Sequence, residues 1–199
     1  MNFSAILINV ALRAAERAQQ RDAHAILSIY TTVVFAVMAL EALLNEQAYI
    51  QTSVHRNRSV RIYEAVDRGT QGFDRFQAVL QYLFGRGLPD GQNPANDLKL
   101  LIQIRNGLVH YRFERPPNKV LGQLVQHNLF SASWKEAPIA WPTYATSDLA
   151  RWAYETACES ALVIASILED AGEHSEADLI RGNFDPKGLD RLLDQSSTL

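Results

Sequence analysis

The chain has 199 residues, 47% of them hydrophobic and 21% charged, with a formal net charge of −3. That length holds one well-buried domain but not two independent cores, and the composition excludes the disordered and fibrous classes. The single cysteine, Cys158, excludes an intramolecular disulfide and a multi-cysteine zinc site, and reads as a small core residue in a reducing compartment.

Residues 4–20 have helical spacing, with Ile6, Val10 and Ala14 on one side and Arg13, Arg17 and Gln20 largely away from it. The N-terminus lacks a basic leader and turns polar within about a dozen residues, so no secretory signal is expected. Residues 22–50 read as one long helix capped by Asp22, with Ile26, Ile29, Val33, Val37, Leu40 and Leu44 along one face. Its segment AILSIYTTVVFAVMAL (25–40) approaches the roughly twenty apolar residues that a bilayer requires. Ser28, Thr31 and Thr32 interrupt it, and it runs into Glu41 and Asn45 without basic anchors. The central helix of a bundle explains it better, so no membrane is expected.

HRNRSVR (55–61) is a basic, polar stretch, and DRGTQG (67–72) is a breaker. Helical spacing resumes from Phe73 to Phe84 through Phe76, Leu80, Leu83 and Phe84, and GRGLPDGQNP (85–94) is a loop by composition. Asn96 reads as the cap of the next helix, which must stop by Arg115 because Pro116 and Pro117 follow. Residues 116–146 form an irregular insert. Within it KVLGQLVQHNLF suits a short helix, and SWKEAPIAWPTY suits an extended segment, a loop or one arm of a hairpin.

Thr146, Ser147 and Asp148 open a last long helix, with Leu149, Trp152, Thr156, Ile164, Ile167 and Leu168 inward and Gly172 as its stop. The tail 173–199 is acidic, with room for a short helix around Leu189–Leu193. With no two-residue alternation, internal repeat or low-complexity tract, the expected class is all-α. The chain reads as one bundle of four to six helices over 1–172, followed by the tail. Residues 148–199 carry 11 Asp/Glu and 4 Lys/Arg, against 11 and 15 in the remainder. A mildly basic body permits nucleic-acid binding, although two solvated faces of opposite sign would look the same.

No phosphate-binding glycine loop, nucleophile elbow, paired metal-ligand histidines or zinc-ligand spacing is present in the sequence. The segment LIQIRNGLVHYRF (101–113) is the exception to an otherwise ordinary pattern. Leu98, Leu101, Ile102, Leu108 and Val109 form an apolar stripe, and Arg105 falls on it by spacing. A charge on an inward face must be paired, or must line a cavity or an interface. Asn106 and His110, four apart, share a neighbouring face. His110 lies about 140° round an ideal helix from Arg105, so the two converge only if the helix loosens or a second chain contributes. Gly107 costs roughly 1 kcal/mol relative to alanine and opens room beside both residues. The plain alternative is a structural Arg105–Glu41 ion pair with His110 capping the helix end.

RNGLVHY after DLKLLIQI resembles the signature of HEPN domains, an all-α superfamily marked by Arg, a polar residue and then His. The matching residues here are Arg105, Asn106 and His110. VMALEALLNE (37–46) resembles the acidic, Asn-bearing helix that many HEPN proteins place upstream, through Glu41 and Asn45. The resemblance spans about residues 5–170 and omits the insert and the tail.

It implies metal-independent RNA cleavage in a cleft between two copies, leaving 2′,3′-cyclic phosphate ends and requiring no cofactor. His110 would serve as general acid/base, an imidazole being suited to proton transfer near neutrality. Arg105 would hold the scissile phosphate, and Asn106 would orient the histidine or the phosphate. Gly107 and Tyr111 would support the motif. Arg56, Arg58, Arg61, Arg112, Arg115 and Lys119 are candidates for the RNA backbone. The implied setting is a cytoplasmic toxin or phage-defence effector, with an antitoxin or defence-system protein as further partner. HEPN toxins paired with nucleotidyltransferase antitoxins carry tyrosine two positions after the histidine. Here that position is Arg112, so the resemblance does not extend to that subfamily. Two rival readings stand beside it: a non-catalytic HEPN module that binds RNA or nucleotide or mediates dimerisation, and a helical interaction protein in which Arg105 pairs internally with Glu41.

Overall fold

The computed structural model describes residues 2–20, 24–109, 118–131, 133 and 143–196. They are all-helical. The segments are α1 (Phe3–Gln19), α2 (Ala25–Tyr49), continued by a π-helical turn (Ile50–Val54), α3 (Val60–Gly69), α4 (Gly72–Phe84) and α5 (Ala95–Val109). They continue with α6 (Asn118–Gln126), α7 (Ser147–Asp170), α8 (His174–Asn183) and α9 (Gly188–Ser196). Four to six helices were expected. The described residues hold more because α3 begins within the basic stretch and runs into the expected breaker, and the tail folds into two helices rather than one.

α2 is the centre of the bundle and packs against α1, α4, α5 and α7. Its buried Ile29, Val33, Val37, Leu40 and Leu44 follow the predicted face. By length and composition Ala25–Val54 is long and apolar enough to cross a bilayer, and here the helix packs among its neighbours. Asp22 lies outside the described residues, and His24 holds the N-cap position.

α1 buries a different stripe from the predicted one. Leu7, Ile8, Ala11, Ala15 and Ala18 join Ala14 in the core, while Ile6 and Val10 are exposed. Alanines at these positions let two helix backbones lie close, and area contact along α2 then favours the small residues over the larger pair. Glu46 of α2 reaches the start of α1, where its Oε1 accepts from the Phe3 and Ser4 amides at 2.6 and 3.0 Å. Free amides at a helix N-terminus favour such a carboxylate.

Asn96 sits inside the first turn of α5 rather than at its cap, its amide bonding to the Gln92 carbonyl. The stripe on α5 holds at Leu98, Leu101 and Ile102, gains Ile104, and fails at Val109, which is 51% exposed. Leu108 is half-buried against the core, whereas Val109 beside it faces outward. Within the insert the expected short helix is α6, and Phe130 forms an isolated antiparallel bridge with Ala145. α7 begins after Thr146, and Gly172, with φ +88°, follows its end, as predicted. Beyond it, Ala177, Ile180, Phe184 and Leu189 lie in the same apolar core as α1, α2 and α7.

Cys158 is buried in α7, and burial pushes its thiol up to about 12, with a Tyr154 hydrogen bond opposing. Burial also raises Tyr30 and Tyr154. A raised pKa keeps these groups protonated in the fold while the unfolded chain ionises. Their contribution to stability is therefore fully present below about pH 8 and is lost as pH rises through the alkaline range. Native protein at pH 8 should resist Ellman's reagent and react at one thiol per chain once unfolded; rapid labelling of folded protein would contradict this placement.

Candidate functional site

The residues of interest meet where α2, α3, α4 and α5 come together. Glu41 and Asn45 are one turn apart on α2, so both project from one face. Arg105 of α5 donates through Nη2 to Glu41 Oε1. The Arg105 side chain is 16% exposed and that of Glu41 30%, so the pair is partly shielded from water. Arg105 Nε is buried and has no hydrogen-bond partner among the described residues.

Asn45 Oδ1 accepts from Arg75 Nη2 of α4 at 2.8 Å and from the Tyr63 hydroxyl of α3 at 3.3 Å. Arg75 Nε in turn donates to Asp67 Oδ1 at 2.5 Å. Burial alone would lower the Arg75 pKa, but the Asp67 hydrogen bond and charge, with Tyr63 and Glu41, more than offset it and the pKa is raised. The Tyr63 hydroxyl is raised by burial first and by the Asp67 charge second, with Arg75 opposing. Two guanidiniums, two carboxylates, an amide and a phenol thus form one polar cluster.

Of the sequence candidates, Glu41, Asn45 and Arg105 come together here. Asn106 and Gly107 are half-buried near the end of α5. His110, Tyr111, Arg112 and Arg115 lie outside the described residues, as does the side chain of Lys119. Arg56 and Arg61 are exposed, and Arg58 donates through Nε to the Leu83 carbonyl at 3.2 Å. The Ser59 amide and carbonyl both bond the Tyr82 hydroxyl at 2.9 Å, which pins the basic stretch to α4. Tyr63, Asp67 and Arg75 were not among the expected site residues. They stand 18, 22 and 30 positions from Asn45, with no motif linking them.

Glu41 and Asn45 also edge an open groove of about 900 Å³ that runs past Phe3, Met38 and Tyr49 to Leu179 on α8. Chemically, the arrangement holds Arg105 in one orientation through a carboxylate while leaving part of its fork unused. An anion arriving at that fork would compete with Glu41 for it. Glu41→Gln keeps the shape and removes the charge. It is expected to lower stability by about 1–3 kcal/mol, because Arg105 then lacks its counter-charge. Urea unfolding measures this, and an unchanged midpoint would show that the pair is energetically neutral. Comparison with protein-family models, with curated proteins and with solved structures gives no match.

Proposed function

We propose that this chain is a HEPN-type, metal-independent endoribonuclease that cuts RNA in a cleft between two copies, acting in the cytoplasm as a toxin or defence effector. His110 is the general acid/base, Arg105 holds the scissile phosphate, and Asn106 orients one of them. Arg56, Arg58, Arg61, Arg112, Arg115 and Lys119 guide the RNA backbone.

The observation that carries this reading is the setting of Arg105. Its guanidinium is oriented by Glu41, its Nε has no partner among the described residues, and its helix leads directly to His110. The exposed Val109 beside the histidine suits a surface that a second copy covers.

The Arg105–Glu41 pair also favours a second reading, in which the motif is structural and the protein is a non-catalytic helical module. The two part on one experiment: purified chain incubated with varied RNAs in excess EDTA, with product ends analysed. Cleavage leaving 2′,3′-cyclic phosphates supports the nuclease. A folded dimer inert toward every RNA favours the module.

A further inference from the structure

At the opposite end of α2 from its first turn, a second group of polar side chains converges. The π-helical turn Ile50–Val54 closes with the His55 amide bonding the Ile50 carbonyl at 2.8 Å. This wider turn delivers His55 against the start of α8, where Glu173 holds the N-cap position and Glu176 lies in the first turn. His55 Nδ1 is 3.4 Å from Glu173 Oε1. Ligand atoms of His55, Glu173 and Glu176 all lie within 4.8 Å of one another. Nitrogen and oxygen ligands at about 2.0–2.2 Å around a tetrahedral ion stand roughly 3.3 Å apart, so small side-chain adjustments would bring all three onto one centre.

The carboxylates are held in place by further polar groups. Gln51, itself buried, donates through Nε2 to Glu173 Oε1 at 2.9 Å, and Asn57 holds the Gln51 amide oxygen at 2.7 Å. Ser175 Oγ donates to Glu176 Oε2 at 2.6 Å. Such outer partners orient ligands in metal sites. Independently, Gln47, one turn before Gln51 and 4% exposed, buries its Oε1 without a hydrogen-bond partner among the described residues. It lines the same groove as Ser175 and Glu176. A buried acceptor without a donor, in the groove that Glu176 also lines, is an exception to the rule that buried polar groups are hydrogen-bonded.

We propose that His55, Glu173 and Glu176 bind one first-row divalent cation of the zinc class, which clamps the end of α2 to the start of α8. One imidazole and two carboxylates suit zinc, cobalt(II) or manganese(II) better than the all-oxygen cations calcium and magnesium. Three protein ligands leave a fourth position for water. His55 lies 118 and 121 positions before the two glutamates, a separation that carries no metal motif.

The test is calorimetric titration of the untagged full chain with zinc chloride, with calcium chloride as comparator. One zinc per chain is expected, with calcium at least tenfold weaker. Glu176→Gln and His55→Ala should abolish that stoichiometric binding, Gln51→Ala should weaken it about 10–100-fold, and His127→Ala should leave it unchanged. Circular dichroism checks each variant. Should His55→Ala unfold, Glu176→Gln, the same size and on a half-exposed position, decides. Folded wild-type protein that takes up no zinc overturns the proposal, and so does binding that survives both ligand variants. Cleavage in EDTA tests the Arg105 motif and zinc titration tests the clamp, so either proposal can fail alone.

Discussion

RNA cleavage by the wild-type chain in excess EDTA is expected to persist, and His110→Ala is expected to reduce it by about 10²–10⁴-fold, the range a positioned acid/base contributes. Arg105→Ala is expected to reduce it by about 10²–10³-fold, as when a donor aimed at developing transition-state charge is removed. The two losses should not add, because both residues serve one transition state. Arg105→Lys sharpens the result. Lysine keeps the charge but not the fork, so it cannot hold Glu41 and a phosphate oxygen in fixed directions together. It should recover less than half of the lost activity while restoring most of the stability. Full activity in Arg105→Lys would mean that charge alone suffices. Wild-type levels in His110→Ala, or cleavage that requires added metal, would remove the proposed chemistry. Light scattering on the same samples should report two chains, since Arg105 and His110 are separated round one ideal helix.

Phe184→Ala is the substitution expected to cost most stability. Phe184 follows α8, is 1% exposed, and lies in the core cluster with Ala177, Ile180 and Leu189. Tyr154 of α7 donates to the Asp185 carbonyl at 2.8 Å, and α9 packs back on α1. Truncating a buried phenylalanine removes its transfer energy and leaves a cavity, about 3–5 kcal/mol together. For a chain of this size that lowers the melting temperature by roughly 6–20 °C. Differential scanning calorimetry should also show one transition, because α8 and α9 share their core with the rest. A shift under 2 °C, or a separate early transition, would mean that residues 174–196 fold apart from the bundle.

Much of the helical layout was legible in the sequence. The inward positions of α2, α4 and α7 recur at helical spacing, and Gly85 and Gly172 sit where left-handed backbone follows α4 and α7. The α1 face was misread because two stripes compete there, and the choice rests on how closely α2 approaches. Arg105 was legible as a misfit, a charge on an apolar stripe, and Glu41 as its natural partner.

The sequence by itself determined the helical class, the position of most helices and the demand that Arg105 be paired, because these depend on residue type and short-range periodicity. The tertiary structure alone decided that Asn45, Tyr63, Asp67 and Arg75 share one polar cluster with the Arg105–Glu41 pair. It alone brought His55 to Glu173 and Glu176, and drew 174–196 into the core. Those contacts join separate elements, and a periodic pattern says which face of a helix is buried but not which other helix will cover it.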